Sequence, residues 1–308
     1  MTGWVVGLGA LAMLGGLLAL NHLALLVIRP VVHPPAATPA DHGLTCEAVA
    51  FRSDGFTLRG WLLPCHTREQ GPAGAAEGAE GGSPSSVPVV VLVHGWSANS
   101  GVMLPLAKPL VEAGYPVLLF DFRRHGMSDP APYITARQYR DDLAAAVAWV
   151  RERLPGRPVV VVGHSMGGAT AILAAADGTP IDGIVTIASP ANLHDVTARF
   201  LRERGLPGGV LVHLLTPFWW PRAGMRFGRL TPERRVHEIA GLPMRVLAAE
   251  VDRRVPDDHP ARLARASSEP PIVVPGTGHT DILSSPRTAA QVLGLLEVFR
   301  QPEDPVLY

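Results

Sequence analysis

The chain has 308 residues, with 27 basic side chains balancing 27 acidic ones and 47% of its residues hydrophobic. That length holds one large domain with a substantial core plus an additional segment, and the even charge, free of any basic tract, excludes a nucleic-acid-binding footprint. No G-x-x-x-x-G-K, C-x-x-C or H-E-x-x-H pattern occurs, and the 12 histidines are scattered without ligand spacing, so neither a cofactor nor a metal is expected.

The first element is apolar. Residues 4–28 contain no charged side chain, and as a helix rising about 1.5 Å per residue they reach about 37 Å, enough to cross a bilayer with tilt. A cleaved signal peptide fits worse, because no Lys or Arg precedes the run and its apolar core exceeds the usual ~7–15 residues. Residues 1–29 are therefore read as a single-pass transmembrane anchor. Arg29, flanking the run on its C-terminal side, favours a cytoplasmic domain, although one arginine leaves the side of the membrane open. Residues 30–43, with prolines at 30, 34, 35 and 39, read as a stiff spacer holding the following domain off the membrane.

The domain itself is expected over residues 44–308. Two β-patterned runs, 44–51 and 57–63, flank the turn Ser53-Asp54-Gly55 and predict a hairpin. Cys46 and Cys65 would lie near each other across it, either bonded as a disulfide or as two buried thiols. Residues 68–86 are low in complexity and poor in large apolar groups, the composition of a mobile surface loop. The run 89–93 is a buried strand. It leads into His94-Gly95-Trp96, where His94 has the place of a turn-forming structural residue and the Trp96 N–H is a candidate hydrogen-bond donor to a site. Strand 117–121 follows, then a helix with Leu143, Val147, Val150 and Leu154 on its core face.

The most informative block is Pro158 to Ala171. An all-β-branched run, 159–162, is followed by Gly163-His164-Ser165-Met166-Gly167 and then by a small-residue helix. A serine on such a sharp strand-to-helix turn has its hydroxyl thrust outward, and backbone N–H groups at the helix start face it. The glycines belong there because the turn is tight and strained. Ser165 is thus the candidate nucleophile, and the Met166 N–H a candidate oxyanion donor beside that of Trp96.

A serine hydroxyl needs a histidine to take its proton, and the histidine needs an acid to orient it. Two later strands, 245–249 and 271–274, each end in a loop carrying one such group, Asp252 and then His279. Loops past the carboxyl ends of strands are where open α/β sheets place their sites. Asp195, just past the preceding strand at 181–188, is the rival acid. The order serine, acid, histidine selects Asp252.

With His94-Gly95-Trp96, Asp121 through Ser128, Gly163 through Gly168, Asp252 through Pro256 and Gly278-His279 in place, the chain resembles the α/β-hydrolases. It is similar to their serine esterase, monoglyceride-lipase and serine-aminopeptidase-like branch. The resemblance covers nearly everything from Leu44 onward and implies an α/β fold: a mostly parallel sheet with flanking helices and a helical cap. It also implies Ser165 as nucleophile, His279 as base and Asp252 as acid. One departure is Ala248-Ala249-Glu250, where the family usually carries a glycine; it bears on loop shape. The family inserts its cap at about 190–242, and there the apolar Phe218, Trp219 and Trp220 are candidates for contact with a small-molecule, lipophilic acyl substrate. The resemblance favours esters, with peptidase, thioesterase, acyltransferase and a silent binding fold as alternatives. Nothing fixes the oligomeric state.

Overall fold

The structure, a computed structural model, describes residues 2–64, 87–224 and 227–299. The low-complexity segment 68–86 and Cys65 lie outside the described residues. Cys46 is exposed, so it is not the buried thiol expected of it.

Eight strands form one sheet in the order β1-β2-β4-β3-β5-β6-β7-β8. They are β1 (Glu47–Ser53), β2 (Phe56–Leu63), β3 (Val89–Val93), β4 (Val117–Phe120), β5 (Val159–His164), β6 (Gly183–Ile187), β7 (Met244–Val251) and β8 (Ile272–Gly278). β1 and β2 form an antiparallel hairpin, β2 meets β4 antiparallel, and every pairing from β4 through β8 is parallel. The hairpin turn places Asp54 at φ 46° and Gly55 at φ 85°, the doubly left-handed geometry that matches the twist of the flanking strands. This is the mostly parallel architecture expected from the sequence.

The β-branched runs are explained by burial on both faces. Val89, Val91 and Val93 point into one core layer, with α3 (Ala136–Arg153) and α4 (Met166–Ala176). Val90 and Leu92 point into the other, with α2 (Leu104–Glu112) and α9 (Pro286–Leu296). A strand covered on both sides shows no polar alternation. The cap consists of α5 (Leu193–Arg202), α6 (Gly208–Ala223) and the short α7 (Pro232–Arg235), while α8 (His259–Leu263) follows β7.

The N-terminal helix α1 spans Thr2–Val27, and its segment Gly7–Val27 is long and apolar enough to cross a membrane. The segment after it does not stand off as a spacer. Arg29 Nε donates to the Pro132 carbonyl (2.9 Å), the Val31 N–H to Ser97 Oγ (3.2 Å) and Asn99 Nδ2 to the His33 carbonyl (3.1 Å). A Cβ on Gly101 would lie 3.0 Å from the Ala37 carbonyl oxygen. The prolines keep residues 30–37 extended, and that strap finds its hydrogen-bond partners on the domain before the chain turns into a short 3-10 helix at Pro39–His42.

Two buried polar clusters shape the loops at the carboxyl edge of the sheet. Asp142 is fully buried and pairs with Arg123 (Nη2–Oδ1, 2.6 Å) while accepting from Ser53 Oγ (2.6 Å), which locks the hairpin turn to α3. In the second cluster, His94 Nε2 accepts the Phe122 N–H (3.2 Å) and its Nδ1 lies 2.8 Å from the Gly95 carbonyl. His125 Nε2 faces two donors, the Ser97 N–H (3.3 Å) and the Tyr139 hydroxyl (2.9 Å). Burial pushes His94 down to about 4, and burial with the neighbouring His94 pushes His125 down to about 3. His94 is therefore structural, as expected.

These rings make stability pH-dependent. Both folded-state pKa values lie below the unfolded value near 6.5, so the unfolded chain binds the extra protons. The stabilisation is complete above about pH 6.5 and falls by on the order of 3 kcal/mol per ring on reaching pH 4. Unfolding measured across pH 4–7 is expected to show His125→Gln with a slope shallower by about one proton; an unchanged slope would contradict a neutral buried ring. Asp142→Ala, which strands the Arg123 charge, is expected to cost about 3–5 kcal/mol in denaturant unfolding.

Candidate active site

The site is built on the turn between β5 and α4. Ser165 has φ 52° and ψ −120°, a left-handed backbone that non-glycine residues adopt only where surroundings impose it. The surroundings here are backbone. A Cβ on Gly163 would lie 2.3 Å from the Gly168 nitrogen, and one on Gly167 would lie 2.4 Å from the Val93 carbonyl oxygen. A Cβ on Gly95 would lie 2.9 Å from that of Ser165, so the β3 loop runs directly alongside the serine. The Ser165 N–H donates to the Ile187 carbonyl (2.8 Å), fixing the turn to β6.

The three separate sequence positions converge. His279 Nε2 lies 3.1 Å from Ser165 Oγ, and His279 Nδ1 lies 2.8 Å from Asp252 Oδ2. Asp252 Oδ1 accepts the N–H groups of Arg254 (2.8 Å) and Val255 (3.0 Å). Burial opposes the charged form of Asp252, but the His279 bond and these two N–H groups outweigh it and hold the carboxyl below its usual range. With the acid ionised, the His279 Nδ1–H donates to it and Nε2 is left to accept from the serine.

Asp195 is engaged elsewhere. Its Oδ2 lies 3.3 Å from His259 Nε2 and 3.0 Å from Arg262 Nη1, at the start of the cap. The departure Ala248-Ala249-Glu250 also has a structural counterpart. The β7–β8 pairing is irregular between Ala249 and Val251, and Glu250 Oε2 accepts the Gly276 N–H (2.7 Å). That bond ties together the ends of β7 and β8, just ahead of Asp252 and His279.

His164, immediately before the serine, was not singled out by its sequence pattern. It is buried, and its Nε2 lies 2.6 Å from the carbonyl oxygen of His279, so its N–H holds the main chain of that histidine. Burial and the neighbouring His279 push the His164 ring down to about 3. A neutral ring can donate through Nε2 without adding charge beside His279.

Above the serine lies a largely apolar cavity of about 260 Å³ whose lining includes Trp96, Ser165, Met166, Leu193, Phe200 and Trp219. Met166 is the first residue of α4, where N–H groups have no intrahelical acceptor. Of the three aromatic cap candidates only Trp219 lines the cavity. Trp220 is 54% exposed and Phe218 packs in the α1–cap cluster. Successive residues on α6 project about 100° apart, so only one of three consecutive side chains faces the cavity. Val27 and Ile28, from the end of α1, also line it. The sequence pattern did not reveal them, because a uniformly apolar segment does not show which of its residues touch protein.

Residues 88–205 match the family model described as the alpha/beta hydrolase fold. The uncharacterized protein YfhR of Escherichia coli is 24% identical over 247 residues, covering 78% of this chain and 75% of that protein. The lysophosphatidylserine lipase of Danio rerio is 26% identical over 230 residues, covering 71% of this chain and 58% of the lipase. Among solved structures, an esterase of Pyrococcus furiosus superposes with a TM-score of 0.65 at 22% identity, covering 88% of this chain and 97% of the esterase.

The glycine contacts give a direct test of the turn. Gly167→Ala drives a Cβ into the β3 backbone and is expected to destabilise the fold by on the order of 3 kcal/mol, read as a lowered midpoint in thermal unfolding; wild-type stability would contradict the packing described. Sheet order, strand-to-helix turn and the match over residues 88–205 agree: the chain has the alpha/beta hydrolase fold.

Proposed function

We propose that the protein is a membrane-anchored serine hydrolase that cleaves acyl esters through an acyl-enzyme. The single observation that carries this reading is the bonded series Ser165, His279, Asp252, with distances of 3.1 and 2.8 Å, opening into an apolar cavity. Ser165 Oγ attacks the ester carbonyl while its proton passes to His279 Nε2. The N–H groups of Trp96 and Met166 hold the oxyanion of the tetrahedral intermediate. Collapse expels the alcohol, which takes the proton from His279. Water then attacks the acyl-serine, giving its proton to His279, and a second collapse releases the acid and returns the proton to Ser165. Asp252 stays ionised throughout, orienting the imidazole and balancing its charge.

The preference for esters draws on similarity to esterases and a lipase and on the apolar cavity. The anchor reading draws on Gly7–Val27 being long and apolar enough to span a bilayer. Retention of that helix is supported by its bonds to the cap: Trp219 Nε1–H donates to the Ala24 carbonyl (2.9 Å) and Arg222 Nη2 to Asn21 Oδ1 (2.7 Å). Removing the helix by processing would leave both donors without these acceptors.

The roles separate in kinetics on p-nitrophenyl esters. Ser165→Ala is expected to lower kcat by roughly 10⁴-fold or more, and Asp252→Asn by less, since the oxyanion donors still act. Asp195→Asn is expected to keep kcat within about three-fold, because its partners His259 and Arg262 lie on α8 and are bonded to neither Ser165 nor His279. A harmless Asp252→Asn beside a damaging Asp195→Asn would overturn the choice of acid.

A further inference from the structure

The membrane helix and the cavity share residues. Leu20, Leu23, Ala24, Val27 and Ile28 recur at the spacing of one helix face, and all five join the apolar cluster formed with α5 and α6. Ala24 is fully buried and Ile28 nearly so, whereas Leu8, Leu11 and Leu18 on the earlier turns are 67%, 67% and 60% exposed. The exit from the helix is pinned as well: the Ile134 N–H donates to the Ile28 carbonyl (3.0 Å), and Ile134 itself lines the cavity.

A span needs about 20 apolar residues to cross the hydrocarbon layer. Counted back from Ile28, those residues include the very turns that pack on the cap. The cap's contact with α1 therefore lies at the edge of the bilayer, where Val27 and Ile28 also line the cavity. The cap surface fits that position, with Val210 and Trp220 exposed on α6.

We propose that the C-terminal end of α1, Val27 with Ile28 just past it, forms a specificity-determining wall of the acyl cavity. The substrate is then an acyl lipid whose chain passes from the bilayer to Ser165 along Val27 and Ile28. This inference rests on the hydrolase reading above and assigns α1 a second task beyond anchoring. Val27 is half-buried at the cavity wall, so its size sets how much of the cavity a chain can fill. Arg254, from the loop after Asp252, also lines the cavity and supplies a polar counterpart to that apolar wall.

The test uses the full-length protein in detergent micelles and reads the ratio of kcat/KM on a twelve-carbon p-nitrophenyl ester to that on a four-carbon one. Val27→Phe, which fills the cavity, is expected to lower the ratio by roughly ten-fold, and Val27→Ala to raise it by a few-fold. Leu14→Ala, on the exposed part of α1, keeps the wild-type ratio. Opposite shifts from two substitutions at one position do not arise from misfolding, and Val27→Ala carries the test alone if Val27→Phe fails to fold. Ratios within two-fold of wild type for the Val27 variants, with the esters hydrolysed, would overturn the wall while leaving the hydrolase reading intact. A wild-type protein that hydrolyses no ester of the series would instead overturn the hydrolase reading.

Discussion

The strained backbone at Ser165 is the constraint on which the rest of the site depends. A φ of 52° at a serine is held only because β3, β5 and β6 close around the turn at backbone distance, leaving no room for a Cβ on Gly163, Gly167 or Gly95. That closeness needs a parallel sheet buried on both faces, which in turn requires the β-branched strands. Once the turn is fixed, Oγ points into the cavity, the first N–H groups of α4 point beside it, and the loops after β7 and β8 have only to bring their side chains to the same edge. The histidine main chain is held from below by His164 and the acid by two N–H groups of its own loop.

Much of this was legible in the chain. The strands at 89–93 and 159–162 announce themselves because burial on both faces removes polar alternation, and each is followed by a loop whose residue types fit only a few roles. Serine, acid and histidine could be ordered because α/β sheets put their chemistry past strand carboxyl ends. What distinguished Asp252 from Asp195 in the fold is a partner: His279 for one, His259 and Arg262 for the other. Such partners depend on tertiary packing that spacing alone does not reveal.

The less legible parts were those where sequence offered composition without direction. In Phe218-Trp219-Trp220 all three residues look alike as cavity lining, yet helical geometry admits only Trp219. The N-terminal helix is apolar on every side, so the face that packs on the cap carries no polar boundary to mark it. The proline-rich segment after it has the composition of a spacer but spends its free backbone and carbonyl groups on the domain. The apolar N-terminal helix, the proline-rich strap and the domain with the alpha/beta hydrolase fold, three modules by composition, pack together beside the cavity that Val27 and Ile28 help to line.

The central claim is that Ser165 is an activated nucleophile. Full-length protein treated with a fluorophosphonate, digested and analysed by mass spectrometry should carry one phosphonyl adduct on Ser165, lost in His279→Ala while the fold persists by circular dichroism. An unlabelled wild-type protein, or an adduct on another residue with Ser165 unmodified, would contradict it.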